Sequence, residues 1–368
     1  ENDLRSKVGP LSIQKPLSER MDDIKAYYEL IDKPSEALDA RAIKLSLDEW
    51  KQCPRLTLRG QKRTVELMKK STSSGNPYFT KRRAVVDKTL PTKAWLDAPL
   101  VHSVLNGKGW LSCAILGWRG QEGGADYDDV KQRVIWMFPF NINILELQFY
   151  QPAIEIAQRY NIVPAWISMD AVDERITKLF DTKSPKDLIV CTDFSKFDQH
   201  FNSSLQDGAR YIIGELMSKT KDSELWLKHV FPIKYNIPMM YDMGKLITGP
   251  HGMASGSGGT NFDETIIHRV LQYEAALSAE STLNPNSMCL GDDGILSYPG
   301  IQVEDVMRAY TRHGLDMNAD KQYASTQDCT YLRRWHHVKY RRNGICVGVY
   351  STYRALGRLC EQERFYDP

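Results

Sequence analysis

Gly291-Asp292-Asp293-Gly294 puts two acids side by side in a short polar break between the apolar runs Met288-Cys289-Leu290 and Ile295-Leu296-Ser297-Tyr298. That pattern predicts a β-hairpin carrying both carboxylates at its tip. Adjacent like charges repel, so the pair calls for a nearby cation or a fully solvated position. Taken alone, the same residues also make an ordinary solvent turn. Two earlier segments narrow the choice: Thr192-Asp193-Phe194-Ser195-Lys196-Phe197-Asp198 and Ser255-Gly256-Ser257-Gly258-Gly259-Thr260. In this order the three describe a device that holds two divalent cations against a nucleoside triphosphate.

Asp187-Leu188-Ile189-Val190-Cys191-Thr192 has the length and bulk of a buried strand, and Asp193 stands where that strand emerges. Phe194 and Phe197 can pack beneath the following turn, which carries Asp198; the alternative for Asp198 is a cap on a helix starting near Asn202-Ser203-Ser204. Mg²⁺ takes six oxygens and is usually held by one or two carboxylates plus substrate phosphates. Asp193 with Asp292 meets that sparse need, with Asp293 assisting, and two ions about 3.5–4 Å apart could serve an in-line displacement. No comparable His and Cys constellation exists, so zinc is not expected. The glycine-rich stretch 251–261 runs into a segment with apolar residues at helical spacing, so it opens a helix. Its glycines permit close backbone approach to a ligand, and Ser255, Ser257 and Thr260 offer hydroxyls to a sugar or phosphate; a flexible linker has the same composition.

Acidic strand end, Ser-Gly…Thr loop and Gly-Asp-Asp hairpin together resemble palm motifs A, B and C of viral RNA-dependent RNA polymerases. The variants Asp-Phe-Ser-Lys-Phe-Asp and Ser-Gly-Ser-Gly-Gly-Thr are similar to those of picobirnaviruses and their partitivirus relatives, which have double-stranded RNA genomes. Further segments match on both sides. Thr72-Ser73-Ser74-Gly75-Asn76-Pro77-Tyr78 resembles the template-guiding motif G, placing Ser74 and Gly75 against RNA. Arg119, Lys131 and Arg133 resemble motif F, which meets the incoming triphosphate; the alternating run 133–137 is equally an ordinary strand with a solvated face. Gly314-Leu315-Asp316-Met317-Asn318-Ala319-Asp320-Lys321 is similar to motif D, with Lys321 as general acid, and Cys329-Thr330-Tyr331-Leu332-Arg333-Arg334 resembles the primer-gripping motif E. Arg333, Arg334, Lys339, Arg341 and Arg342 would then face phosphates, work that suits the guanidinium fork.

The resemblance implies an α+β right-hand fold of fingers, palm and thumb, with an antiparallel palm sheet flanked by helices. It assigns 1–140 to fingers, 141–212 to palm, 213–250 to a fingers insertion, 251–342 to palm and 343–368 to the start of a thumb whose remainder is expected to be missing. It implies template-directed RNA synthesis with Mg²⁺, or Mn²⁺ in its place. The implied partners are RNA template, nascent strand and nucleoside triphosphates, with viral capsid protein as a further one, in the host cytoplasm inside the viral particle. Catalysis would fall to Asp193, Asp292, Asp293 and Lys321, and nucleotide binding to Asp198, Ser255, Gly256, Thr260, Asn261, Arg119, Lys131 and Arg133. Asp198 matches the ribose-sensing acid. One position departs: many plus-strand virus polymerases carry an asparagine four residues after the motif B threonine, and here Glu264 stands there, with Asn261 as a substitute. A metal-dependent phosphodiesterase and a non-catalytic RNA-binding palm-like protein are the competing readings.

Composition is neutral on these points. With 48 basic and 46 acidic residues the net charge is +2, so nucleic acid must be met by local patches such as Lys81-Arg82-Arg83. Seven cysteines without Cys-x-x-Cys spacing read as reduced packing residues. No apolar run of about eighteen residues exists to span a membrane. Helices are expected over 17–31, 35–50 and 142–160, a loop over 120–129, and a strand over 344–350 leading into a final helix.

Overall fold

The computed structural model describes residues 1–97 and 103–361. Its organising sheet has four antiparallel strands in the order Tyr323–Ser325, Ile189–Thr192, Asp293–Leu296, Met288–Leu290. Ile189–Thr192 is buried at every position, because both faces of the sheet are covered. Val190 and Leu296 point into the larger core, whereas Ile189, Cys191 and Ile295 point the other way, onto Val172, Ile176, Leu179 and Phe180 of helix Met169–Thr182. The period of two thus sorts one short strand pair between two cores.

Helix Thr260–Ser278 backs the sheet and is enclosed by helices Ala40–Asp48, Ser203–Leu216 and Val303–Thr311. It is buried almost all round, which explains its mixed apolar and polar pattern in place of one apolar stripe. Phe262 from this helix joins Phe149, Tyr150 and Trp226 in an aromatic cluster at centroid separations of 5.1 to 5.8 Å.

A second sheet runs Lys131–Met137, Ala114–Gln121, Met239–Asp242, Lys245–Ile247, with the middle pair parallel and the outer pairs antiparallel. A third joins Asp328–Tyr331, Arg334–His337 and Val349–Tyr350. No described helix is long and apolar enough to cross a membrane. All seven cysteines are free.

The expected elements are present with four corrections. The helix expected over 35–50 is only Ala40–Asp48, because Asp39 caps it through the Arg41 amide and the Glu36 amide hooks instead onto the Arg312 carbonyl. The loop expected over 120–129 is shorter, since the strand continues to Gln121 and Tyr127–Asp129 forms a helical turn closed by an Asp126/Asp129 capping box. Asn202, not Asp198, caps helix Ser203–Leu216. The strand over 344–350 is two pieces with different partners: Ile345–Cys346 pairs with Arg341–Arg342, and Val349–Tyr350 with Arg334 and Trp335. The final helix is Thr352–Cys360, and 362–368 of the expected thumb lie outside the described residues.

Candidate active site

The acidic hairpin closes through a two-residue turn, Gly291-Asp292, with Leu290 paired to Asp293 and Gly291 in the left-handed region at φ 57°. Thr192 pairs with Gly294, so Asp193 leaves its strand beside the hairpin tip and the acids of both segments meet. Asp193 and Asp292 are exposed, and neither carboxylate takes a hydrogen bond or ion pair among the described residues. Asp293 is turned inward, where its Oδ2 accepts from the Leu332 amide at 2.7 Å. Burial pushes the Asp293 carboxyl up to about 7, the Leu332 amide lowers it, and Asp292 and Asp193 raise it again. Desolvation also raises Asp193, Lys321 pulls it back, Asp292 raises it and Lys131 lowers it.

Helix Thr260–Ser278 holds the hairpin by one polar face. Thr265 Oγ1 accepts from the Gly291 amide at 2.9 Å, the His268 ring meets the Gly291 carbonyl at 2.8 Å, and Gln272 Nε2 donates to the Met288 and Ile295 carbonyls at 2.8 and 3.2 Å. The His268 ring packs where a side chain on Gly294 would stand, 2.5 Å from the position of a Cβ. Gln322 does the same service for Asp193: its side-chain amide accepts from the Asp193 N–H at 2.9 Å and donates to the Asp193 carbonyl at 2.8 Å.

The glycine loop is pressed onto strand Lys131–Met137. A Cβ on Gly256 would sit 1.6 Å from the Trp136 carbonyl oxygen, so only glycine allows this approach. Ser255 Oγ donates to the Val134 carbonyl and accepts from the Trp136 amide, while Thr260 Oγ1 donates to the Ala254 and Ser257 carbonyls. Beneath the loop, buried Glu146 accepts from Ser257 Oγ and the Gly258 amide, and Asn143 Nδ2 donates to Glu146 and to the Gly256 carbonyl. Asn261 Oδ1 accepts from the Trp166 indole at 2.7 Å. Asp198 lies in the helical turn Phe197–His200 with its carboxyl against that of buried Glu264. Burial raises both acids; Glu264 lowers Asp198 through a hydrogen bond, whereas Asp198 raises Glu264 further.

On the basic side, Arg119 pairs with Arg133 and Gln121 with Lys131 across neighbouring strands. Arg133 Nε donates to Gln121 at 2.8 Å, and its charge reaches Asp198, as that of Lys131 reaches Asp193. The charge of Lys321, exposed in the turn Ala319–Lys321, also reaches Asp193.

Comparison with known proteins decides what this arrangement is. The family described as viral RNA-dependent RNA polymerase matches residues 10–344. The chain belongs to the viral RNA-dependent RNA polymerases. The potential RNA-dependent RNA polymerase of a human picobirnavirus (strain Human/Thailand/Hy005102/-) is 60% identical over 368 residues, all of this chain and 69% of that protein. The crystal structure of a human picobirnavirus RNA-dependent RNA polymerase superposes with TM-score 0.97 at 60% identity, over 100% of this chain and 70% of that one. That of its insertion loop deletion mutant gives TM-score 0.97 at 59% identity, over 100% and 72%. The fold is therefore the right-hand polymerase fold with an antiparallel palm sheet, as expected, and the enzyme is an RNA-dependent RNA polymerase rather than a phosphodiesterase or an inert palm.

The polymerase family implies dependence on divalent metal, and the acids present fit it. Among the described residues no three His, Cys, Asp or Glu side chains converge to hold an ion unaided. Two outward carboxylates, with the third tethered to the Leu332 amide, match the sparse donor set that an ion completed by substrate phosphates needs.

The motif G and E residues are differently placed. Ser74 is buried, its hydroxyl accepting from the Thr80 amide and its carbonyl from the Phe140 amide, while Gly75 sits at φ 63° against the Phe138 carbonyl. Beside them a cavity of ≈ 400 Å³ is lined by Lys88, Lys93, Trp110 and Phe140 among others. Arg333 lies in the turn of the motif E hairpin, whereas Arg334 is bidentate to Asp173 at 2.9 and 3.0 Å and donates to the Gly348 carbonyl. Its guanidinium, expected against phosphate, is held inside the polymerase by that pair. Arg341 is similarly engaged by Asp181.

Sequence reasoning missed Thr265, His268, Gln272, Gln322, Asn143 and Glu146, which position the site without standing in a recognisable motif. Only the first three leave a trace, as polar residues three and four apart within an apolar helix.

Proposed function

We propose that the polymerase copies RNA by two-metal-ion nucleotidyl transfer, in genome replication and in transcription. The observation that supports this most is the register Thr192 to Gly294, which brings the outward carboxylates of Asp193 and Asp292 together at the ends of the central strands. Asp193 and Asp292 hold the ions and Asp293 assists from its tether. Held there, Mg²⁺, or Mn²⁺ in its place, would supply activation of the primer 3′-hydroxyl and neutralisation of charge on the leaving pyrophosphate. Arg119, Lys131 and Arg133 bind the triphosphate from the neighbouring sheet, and Lys321 donates a proton to the departing pyrophosphate. Asp198 accepts from the ribose 2′-hydroxyl. Ser255, Gly256 and Thr260 shape the wall of the nucleotide site, and Asn261 borders it. Orientation and electrostatic stabilisation supply most of the acceleration.

Ser74 and Gly75 form the backbone turn that guides the template, and Arg333 meets nascent-strand phosphate in preference to Arg334, whose fork is already filled by Asp173. The segments 1–140 and 213–250 act as fingers, 141–212 and 251–342 as palm, and 343–368 as the start of the thumb. We assign the work to the host cytoplasm within the viral particle, with capsid protein as a neighbour. Purified protein, a homopolymeric RNA template, Mg²⁺ and one labelled nucleotide test the reading. Template-dependent incorporation that disappears with chelator and with Asp193→Asn is expected, and metal-independent synthesis, or an Asp193→Asn variant as fast as the parent, would overturn it.

A further inference from the structure

The turn at Ser74-Gly75 and the glycine loop, far apart in the chain, are seated on the same short stretch of backbone. Gly256 presses on the Trp136 carbonyl and Gly75 on the Phe138 carbonyl, where a Cβ would stand 1.6 and 2.6 Å from the oxygen. Helix Phe140–Arg159 starts directly after, and its buried Asn143 and Glu146 stand three residues apart on one face. The Asn143 amide is fully used: Oδ1 accepts from Arg82 Nη2 at 2.8 Å, and Nδ2 donates to the Gly256 carbonyl at 3.2 Å and to Glu146 Oε1 at 3.3 Å. Reversed, the amide would set donor against donor at Arg82 and oxygen against oxygen at the other two, so its direction is fixed. Half-buried Arg82 also donates from Nε to the Ser73 carbonyl at 3.3 Å, and its backbone amide donates to the Thr72 carbonyl at 2.9 Å. Glu146 in turn accepts from the Ser257 hydroxyl and from the Gly258 amide at 3.1 Å. A continuous chain of side-chain hydrogen bonds thus joins residues 72–73 to residues 256–258. Among the described residues no carboxylate pairs with Arg82, whose guanidinium meets only the neutral oxygens of Ser73 and Asn143 and lies 5.3 Å from the Phe140 ring centroid.

We propose that Arg82 and Asn143 are positioning residues that couple the seating of template RNA at the 72–75 turn to the order of the glycine loop at 256–258. This rests on the reading of Ser74 and Gly75 as the template turn. A cation without a counter-ion beside that turn is open to a template phosphate. Phosphate bound there holds the guanidinium, and the guanidinium holds the Asn143 amide in its one satisfied direction. The amide then fixes the Gly256 carbonyl directly and Glu146 Oε1 indirectly, and Glu146 ties down Ser257 and Gly258. Among the described residues neither Arg82 nor Asn143 bonds to Asp193, Asp292 or Asp293, so both act through the loop rather than on the reacting atoms.

Amide hydrogen exchange of the full chain, read by mass spectrometry with and without a single-stranded RNA oligonucleotide, tests the coupling free of activity. In the parent, RNA is expected to slow exchange both at 72–80, where it binds, and at 251–261. Asn143→Asp keeps an acceptor for Arg82 but turns a carboxylate oxygen towards the Gly256 carbonyl and Glu146. In that variant RNA should still slow exchange at 72–80, the slowing at 251–261 should be lost, and RNA-free exchange at 251–261 should rise about tenfold, the worth of one hydrogen bond. Arg82→Ala should raise RNA-free exchange at 251–261 by about fivefold although Arg82 bonds to none of those residues, and it carries the test if Asn143→Asp does not fold. Asn143→Asp should also raise the nucleotide KM by about tenfold with kcat less affected, a split that general destabilisation would not produce. RNA slowing exchange at 251–261 equally in the parent and in Asn143→Asp, or a glycine loop exchanging at the parental rate in Arg82→Ala, overturns the coupling. Parental protection by RNA confined to 72–80 overturns it as well. RNA that leaves 72–80 unprotected in the parent overturns the template-turn assignment on which the proposal rests.

Discussion

The acidic hairpin 288–296 and the basic strand pair 114–137 are both antiparallel ribbons that point charge at the same space, and they are built in opposite ways. In the hairpin the strands are short and buried, and only the tip is wet. Thr265, His268 and Gln272 hold backbone groups at its tip and along its strands from a buried helix. In the basic pair the strands are long, Arg119, Lys131 and Arg133 are exposed, and their charges sit along the ribbon rather than at its end. The contrast suits the chemistry proposed for each. An ion held by two carboxylates tolerates little error in ligand position, while a triphosphate met by long cationic side chains is attracted over distance and leaves room for adjustment.

Four changes would break or sharpen this contrast. The largest effect is expected at the hairpin tip: Asp292→Asn should abolish nucleotide incorporation with an unchanged melting temperature, and should be more severe than Asp293→Asn, because Asp293 already shares its carboxylate with the Leu332 amide. Steady-state incorporation with matched melting curves checks the order, and equal rates for the two variants would refute it. Next is Arg334→Ala, which strands buried Asp173 beside His336 and should cost about 3 kcal/mol of stability in a denaturant titration. Arg333→Ala should instead leave stability unchanged and weaken RNA binding, measured by fluorescence anisotropy at two salt concentrations.

A third change addresses the support helix through pH. Burial depresses His268 from 6.5 to about 4 in the folded protein. As pH falls the unfolded chain takes the proton first, so the stability contributed by neutral His268 is complete above 6.5 and lost progressively between 6.5 and about 4. The full loss is about 3 kcal/mol. His268→Asn, which keeps a donor for the Gly291 carbonyl, should flatten that part of the stability profile; an unaltered acid limb would show that other groups govern it. The smallest effect is expected on the basic ribbon. Lys131→Ala should raise the KM for nucleotide by about tenfold, the worth of one charge-assisted contact, with a lesser change in kcat. A drop in kcat at constant KM would mean that Lys131 acts on the reaction rather than on binding.

Much of this was legible before any coordinate. The strand 187–192, the helix opened by the glycine loop and the turn at Gly291 carry local signals, a buried apolar run, helical spacing and a polar break, so they needed no partner to be read. Elements whose ends depend on distant groups were misplaced. The helix at Ala40 begins late because Asp39 caps it and Glu36 bonds to Arg312, and Arg334 looks like a phosphate ligand until Asp173 arrives from another helix.

By itself, then, the sequence determined which chemistry is present: acids, glycines and bases in an order matched by a polymerase family, each set by residues close together in the chain. Only the tertiary structure decided which of those groups remain available. Asp193 and Asp292 stay open while Asp293, Arg334 and the hydroxyls of Ser255 and Thr260 are engaged, and Glu264 faces Asp198. Those assignments depend on hydrogen-bond partners far away in the chain, and a side chain's charge and length do not reveal what meets it across a fold.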